Sequence, residues 1–155
     1  MRGQDLFGLC RRLGLDRDES ADAVQETILR LWRELRSGTE VLDLDAWSFR
    51  VAYRIAMDHH RFVRRLAEGC RRIAGSASAR AAEAPDPYAT IGLELLWRSV
   101  DRLPDRQRVA IYLRYRCDLS FDQVASVMHI TPGAARSHAT QAVATLRGMI
   151  GEEAR

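Results

Sequence analysis

The sequence predicts an all-α protein made of two small helical domains joined by a flexible linker. Apolar residues recur at spacings of three and four along most of the chain, and no segment alternates as a strand does. Residues 69–90 break this period, because they are mostly Ala, Arg, Ser, Gly, Glu and Pro, a composition typical of a mobile linker. The predicted domains are therefore residues 1–68 and 91–155.

Composition narrows the class of protein and its compartment. All 24 basic residues are arginines and the formal net charge is +3, which fits either a polyanionic partner or a genome that prefers arginine codons. Cys10, Cys70 and Cys117 are odd in number and lack the spacing of a metal site. No apolar run approaches membrane-spanning length and the N-terminus lacks a signal-peptide core. We expect a cytoplasmic protein without membrane insertion, metal or other cofactor.

Two helices are predicted before residue 40. The first runs from Asp5 to Leu13 and stops at Gly14, whereas the second begins after Ser20 as its N-cap. The second helix has an apolar stripe that we expect to point inward, and a polar outer face that is more often simply solvated than a binding surface. The stripe consists of Val24, Ile28, Leu31 and Leu35, and the outer face carries Asp22, Gln25, Glu26, Arg30, Trp32 and Arg33.

The segment Asp45–Leu66 predicts a helix with one apolar and one cationic face. Asp45 suits its N-cap. Trp47 and Tyr53 add flat surfaces beside the arginines, on which an unstacked base could lie. This face predicts contact with single-stranded or melting nucleic acid, although a solvated arginine row fits the charge pattern equally well. The cationic face carries Trp47, Arg50, Arg54, Met57, Arg61, Arg64 and Arg65, and the apolar face Phe49, Val51, Ala52, Ile55, Ala56, Phe62, Val63 and Leu66.

The last third of the chain predicts a helix-turn-helix. Ser120 and Gln123 have the spacing of a capping box, and Thr131 followed by Pro132 marks a second helix start after a very short turn. His129 stands where such turns need a positive φ. The second helix has small inward residues and an outward face suited to base edges and phosphates. The inward residues are Ala135, Ala139, Ala142 and Leu146, and the outward ones Gly133, Arg136, Ser137, Thr140, Gln141, Ala144 and Arg147.

Four segments in this order resemble the extracytoplasmic-function (ECF) sigma factors of bacterial RNA polymerase. ADAVQETILRLW resembles the family's polymerase-binding helix in region two, and AWSFRVAYRIAMDHHR its promoter-melting and minus-ten helix. LPDRQRVAIYLRY and LSFDQVASVMHITPGAARSH resemble region four, which reads the minus-thirty-five element. The resemblance implies a non-enzymatic sigma factor that binds core RNA polymerase and promoter DNA, with an anti-sigma protein as an expected partner.

The resemblance also implies roles for individual residues. The loop 39–44 would help to select a flipped promoter base, and flipping costs a few kcal/mol of stacking. Polymerase would contact Asp22, Gln25, Glu26, Arg30 and Trp32; the minus-ten strand would contact Trp47, Arg50, Arg54, Asp58 and Arg61; and the minus-thirty-five element would contact Arg136, Ser137, His138, Thr140 and Gln141.

Some features favour other functions. The first helix is short for the family, so region two is expected to be thinly packed, and His138 and Gln141 stand where members often have basic residues. A sigma-like decoy or stand-alone helix-turn-helix regulator, which binds an anti-sigma protein or DNA without programming polymerase, is therefore the alternative. Asp58, His59 and His60 match the DHH motif of a phosphoesterase family, but without a second carboxylate cluster we interpret His59 as a core histidine.

Overall fold

The computed structural model describes residues 2–70 and 91–153 of the 155-residue chain. These residues form seven α-helices and no strand, which confirms the predicted all-α class. Residues 71–90, which hold most of the predicted linker, lie outside the described residues. The helices are α1 (Gly3–Arg12), α2 (Arg17–Arg36), α3 (Leu44–Cys70), α4 (Ile91–Asp101), α5 (Asp105–Ile111), α6 (Phe121–Met128) and α7 (Pro132–Glu153), and α5 continues into a π-helical turn (Tyr112–Arg116).

The start of α2 differs from the prediction. Asp16 is its N-cap and forms a capping box with Glu19, in which each side chain accepts a hydrogen bond from the other residue's backbone N–H at 2.8 Å. Ser20 lies inside the helix and is buried, so it is not the cap. The helix therefore starts one turn earlier and buries Ser20, Ala23, Thr27 and Leu31.

The inward stripe predicted for α2 is half wrong. Leu31 is buried and Val24 packs against the core, but Ile28 and Leu35 are 41% and 51% exposed. Thr27 takes the inward position instead, because its hydroxyl donates to the carbonyl oxygen of Ala23 at 2.7 Å and so satisfies itself within the helix. The exposed leucine and isoleucine leave α2 with an apolar outer surface.

The N-cap of α3 lies two residues earlier than predicted. The Asp43 carboxylate, rather than that of Asp45, accepts a hydrogen bond from the Ala46 backbone N–H at 2.9 Å. The inward face predicted for the helix is correct over its first half, where Phe49, Ala52 and Ala56 are buried. Phe62 and Val63 are exposed, so the helix projects beyond its supporting bundle.

The helix-turn-helix prediction is confirmed at each cap. Ser120 and Gln123 form the capping box of α6, and His129 takes a left-handed conformation with φ of 53°. The Thr131 hydroxyl accepts from the Ala134 backbone N–H at 3.2 Å, which caps α7. The four inward residues predicted for α7 are all buried, and they are Ala135, Ala139, Ala142 and Leu146.

The N-terminal half (α1–α3) and the C-terminal half (α4–α7) share one continuous core. Leu6, Leu9 and Cys10 of the short α1 are at most 1% exposed, so α1 is tightly packed, not thinly as expected. Their cluster continues through the C-terminal half as far as α7. The core members from that half are Val109, Ala110, Tyr112, Leu113, Cys117, Leu119, Val124, Ala125, Val127, Met128 and Ala135.

Polar contacts also link α1 to α5 and to the π-helical turn that follows α5. Arg108 is 3% exposed, and its Nε donates to the carbonyl oxygen of Arg12 at the end of α1 at 2.9 Å. The Tyr112 hydroxyl donates to the carbonyl oxygen of Asp5 at 3.0 Å, and the guanidinium of Arg12 lies 4.5 Å from the centre of the Tyr112 ring. A buried arginine needs such partners, since an unpaired buried charge is costly.

Candidate nucleic-acid interface

The arginine face of α3 is divided between solvent and the C-terminal half. Arg54, Asp58 and Arg61 are exposed, and Arg61 pairs with Asp58 at 3.5 Å. Trp47 and Arg50 are half-buried. The outer end of α3 is thus open to a ligand, whereas its first two turns are partly covered.

The helix that packs over the first turns of α3 is α6. Arg50 NH1 donates to the Ser126 hydroxyl at 3.3 Å, and Gln123 Nε2 donates to an Asp43 carboxylate oxygen at 2.5 Å. Tyr53 is half-buried beside the core, and burial raises the pKa of its hydroxyl, opposed by the nearby charges of Arg106 and Arg61. The first half of α3, which carries Trp47 and Tyr53, therefore packs against α6.

The loop before α3 is held at one point and open elsewhere. Hydrogen bonds from the Ala46 backbone N–H, and then from the Gln123 side chain, lower the pKa of Asp43. Leu42 beside it is 91% exposed. The ionised Asp43 carboxylate thus anchors the loop, while the Leu42 side chain beside it is exposed to solvent.

The outer face of α7 is open, as the sequence predicts. Arg136, Ser137, Thr140 and Gln141 are exposed, whereas His138 is half-buried. The Gln141 amide donates to the Ser137 hydroxyl at 3.4 Å, so these two side chains are aligned along the helix. Four of the five residues assigned to the upstream element therefore share one accessible surface.

Aromatic residues beside α7 belong to the same surface, although the sequence pattern does not predict them. The guanidinium of Arg136 lies 5.3 Å from the centre of the Phe121 ring, and Tyr115 is 61% exposed nearby. A groove of about 330 Å³ is lined by these two aromatic rings together with Thr140 and Arg147. Both rings belong to segments other than α7, so the period of α7 alone does not reveal that they border its outer face.

The outer face of α2 combines charge with apolar surface. Arg30 pairs with Glu26 at 2.7 Å, and Trp32 is 54% exposed with the Arg36 guanidinium 4.7 Å from its ring centre. Asp22 and Gln25 are exposed as well. The exposed apolar residues on this helix are Ile28, Leu29, Trp32 and Leu35.

The histidine pair of α3 has structural contacts. His59 Nε2 lies 2.9 Å from a Glu19 carboxylate oxygen, and its side chain is 32% exposed, so it is a paired boundary residue. His60 Nε2 donates to the carbonyl oxygen of Leu13 and its ring lies against Gly14. Within residues 2–70 and 91–153, no group of three potential metal ligands converges.

The two cysteines with described side chains are buried thiols. Cys10 and Cys117 are 0% and 1% exposed, and burial raises the pKa of each thiol to about 12. Since the thiolate is the reactive form, both are inert near neutral pH.

The fold and these faces define a helix-turn-helix protein with a second, arginine-rich helix suited to nucleic acid. The model of Sigma-70 region 2 matches residues 2–66, and that of Sigma-70, region 4 matches residues 93–146. The ECF RNA polymerase sigma factor EcfG of Rhodopseudomonas palustris (strain TIE-1) is 26% identical over 133 residues, which cover 86% of this chain and 72% of that relative.

Two solved structures share the fold. The sigma factor RpoE from Bartonella quintana, in co-crystal with the anti-sigma factor NepR, has a TM-score of 0.75 and 21% identity over 96% of this chain and 91% of that chain. CnrH, in complex with the cytosolic domain of CnrY, has a TM-score of 0.60 and 21% identity over 97% and 83% of the two chains.

The chain belongs to the sigma-70 family, in its ECF group. It is an alternative sigma factor that directs transcription initiation, and its family binds core RNA polymerase and promoter DNA. Sigma factors are in general regulators without enzymatic activity. Among the described helices, none is long and apolar enough to cross a membrane.

Proposed function

We propose that the outer face of α2 is the surface that binds core polymerase. The observation that carries this proposal is the set of exposed apolar residues on α2, because solvent-exposed isoleucine, leucine and tryptophan in one row mark a protein-binding surface. Tryptophan in particular is enriched at the centres of such surfaces. Asp22, Gln25, Glu26 and Arg30 flank the row and supply a polar rim.

The face of α3 then engages the minus-ten strand. Arg50, Arg54 and Arg61 pair with phosphates, Asp58 orients Arg61, and Trp47 offers its ring to an unstacked base. The loop 39–44 helps to hold the flipped base, with Leu42 supplying apolar surface. This assignment is supported by the exposure of Arg54, Asp58 and Arg61.

The outer face of α7 reads the minus-thirty-five element in the major groove. Arg136 at its N-terminal end is the best placed side chain for a guanine, since recognition helices contact bases with their first turns. Ser137, Thr140 and Gln141 extend the surface, and His138 borders it. Phe121 fixes the Arg136 guanidinium by a cation–π contact.

The assignment of the three surfaces also bears on enzymatic activity, compartment, domain roles and further partners. The protein has no active site of its own, and it works in the cytoplasm, where polymerase does the chemistry. Residues 1–68 and 91–155 act as separate binding units, with residues 69–90 as the tether. An anti-sigma protein is a further partner, supported by the fold shared with sigma factors whose structures include anti-sigma factors.

The decisive experiment adds the purified protein to sigma-free core polymerase and a library of genomic promoters. Defined transcripts that require the protein are the expected result, and their start sites identify both promoter elements. Polymerase binding without any transcript, or binding to neither polymerase nor DNA by a folded protein, supports the decoy instead.

Trp32→Ala tests the polymerase surface. We expect the affinity for core polymerase to fall by at least about tenfold, since truncating an interface tryptophan costs about 2 kcal/mol. The thermal midpoint should stay unchanged because this side chain is half exposed. Phe62→Ala, which removes an exposed aromatic ring from α3, is the matched control and should bind polymerase normally.

A further inference from the structure

One aromatic ring at the start of the helix-turn-helix contacts two guanidinium groups. The guanidinium of Arg136 lies 5.3 Å from the centre of the Phe121 ring, and that of Arg114 lies 5.4 Å from the same centre. The three side chains come from α7, α6 and the π-helical turn, so no single helix sets their arrangement. A guanidinium within about 6 Å of a ring centre is attracted to the ring electrostatically. Both arginines are therefore held by Phe121.

Phe121 and Arg114 are themselves anchored. Phe121 is the first residue of α6, directly after its cap Ser120, and its half-buried ring packs against the core. Arg114 is half-buried as well, and its guanidinium donates to the Leu119 carbonyl oxygen at 3.1 Å and lies 3.5 Å from an Asp118 carboxylate oxygen. The edge of the Arg114 guanidinium is thus tied to the turn before α6, while its face contacts the ring.

Arg136, in contrast, is exposed on the outer face of α7. An exposed arginine loses rotamer freedom when it binds a ligand, and a contact that orders it beforehand lowers that cost. A cation–π contact uses the face of the guanidinium and leaves its N–H edge, which is the part that pairs with the O6 and N7 atoms of guanine. A carboxylate would also order the side chain, but it would occupy those donors. The ring of Phe121 orders Arg136 and keeps its donors available.

We propose that Phe121 and Arg114 are positioning residues that determine the specificity of Arg136. They order the guanidinium for a guanine edge without touching a base themselves, so that a cation able to bind any phosphate discriminates between bases. This inference rests on the proposed function of α7. It assigns a role in promoter selection to a residue of the π-helical turn, which lies outside the recognition helix.

The quantity that tests the proposal is a discrimination ratio. It divides transcription from a promoter with its upstream element by transcription from the same promoter with that element scrambled, both by core polymerase reconstituted with the full chain. Phe121→Leu keeps an apolar side chain but removes the aromatic face, and the ratio should fall about threefold. Phe121→Tyr keeps a ring and should keep the wild-type ratio. A loss as large in Phe121→Tyr as in Phe121→Leu overturns the proposal.

A double-mutant cycle separates positioning from a structural role. Because Phe121 is proposed to act through Arg136, Phe121→Leu should lower the ratio in the wild-type chain but not in the Arg136→Ala chain. An equal loss in both backgrounds, or no loss in either, overturns the proposal. Binding to core polymerase and the thermal midpoint, measured in parallel, show that each variant is folded. If Arg136→Ala itself leaves the ratio unchanged, the proposed function of α7 has failed instead, so the two failures are distinguishable.

Arg114→Met tests the second residue that contacts the ring. Methionine keeps an unbranched apolar stem but removes the guanidinium that is anchored at Leu119, so the ring is held less firmly. The ratio should fall about twofold, and only while Arg136 is present. Arg98→Met removes the same charge from an exposed position of α4 and is the matched control. A fall of the same size in that control, or in the Arg114→Met/Arg136→Ala chain compared with Arg136→Ala alone, overturns the role of Arg114.

Discussion

α3 and α7 are both long helices proposed to face DNA, but they hold their binding groups in opposite ways. The inner face of α3 is built from large and small apolar residues, and its outer face carries arginines, one of which is engaged by α6. α7 packs through alanines, and its outer face is open but has few charges. The more cationic surface is thus the one that is partly covered.

The difference indicates two kinds of recognition. A row of guanidinium groups binds any phosphate chain, so its selectivity depends on when it is exposed. Side chains such as Ser137, Thr140 and Gln141 bind weakly unless the base edges match, so they can remain exposed at all times. Four changes should break or sharpen this contrast, beginning with the largest effect.

Removing charge from the exposed end of α3 should cost the most. In the Arg54→Ala/Arg61→Ala double variant, promoter affinity of reconstituted polymerase should fall by about a hundredfold, since each hydrogen bond to a charged group contributes about 1.5 kcal/mol. The slope of log affinity against log salt should decrease by about 1.4, or about 0.7 for each phosphate that is no longer neutralised. Fluorescence anisotropy over a salt series measures both. Arg17→Ala/Arg98→Ala removes the same charge elsewhere, and a slope change in that control would refute the assignment.

Arg136→Ala should act on α7 in a sequence-dependent manner. Transcription from promoters that need the upstream element should fall by about tenfold, because a good pairing with a base edge is worth about 1–3 kcal/mol. Polymerase binding should not change. Transcription from the same promoter with a scrambled upstream element provides the control, and an equal loss on both templates would assign Arg136 a structural role.

Asp43→Ala should destabilise the start of α3 by about 1 kcal/mol at pH 7, through loss of the cap. Hydrogen bonds lower the pKa of Asp43 in the folded protein, so its contribution is present above its ordinary pKa of 3.8 and is lost as the pH falls below it. Urea unfolding at pH 7 and pH 3 measures the change. An Asp43→Asn variant keeps an uncharged cap, and its advantage over alanine should not depend on pH; a wild-type advantage undiminished at pH 3 would contradict the account.

His129→Gly should have the smallest effect and the opposite sign. A left-handed φ of 53° strains histidine but not glycine, and the gain is partly offset by the greater entropy of unfolded glycine. We expect the free energy of unfolding to rise by about 0.5 kcal/mol, with DNA binding unchanged. Ala144→Gly, at an exposed helical position of α7, should instead lose about 1 kcal/mol. A destabilised His129→Gly variant would show that the imidazole itself supports the turn.

Local signals predicted the helix-turn-helix in detail. Its caps involve residues three positions apart, such as Ser120 with Gln123 and Thr131 with Ala134, so short sequence windows contain the whole interaction. In α2 the same spacing joins Asp16 and Glu19, but Ser20 is also a good capping residue and stands only four positions later. The existence of α2 was therefore predictable, but its first residue depended on which of two neighbouring capping residues, Asp16 or Ser20, the chain uses.

Two features were harder to predict: which side of a helix faces the core, and which residues from distant parts of the chain contact each other. Ile28 and Leu35 follow an inward period, yet they are exposed, because the apolar period of a helix does not distinguish a core face from an exposed apolar face. The contact of Gly8 with Tyr112 joins residues more than a hundred positions apart, and the burial of Arg108 depends on carbonyl groups of two other helices. No period along the chain encodes such pairings. The roles of the site residues remain predictions.

The exposed apolar row of α2 has a consequence for the protein's life in the cell. A genome offers millions of non-specific phosphate sites, which would trap a free chain with an open arginine row. The proposed polymerase-binding row of α2 is exposed, whereas α6 engages Arg50 and leaves Arg54 and Arg61 exposed. The packing of α6 on α3 should therefore weaken, but not abolish, non-specific binding to chromosomal DNA before the chain meets polymerase.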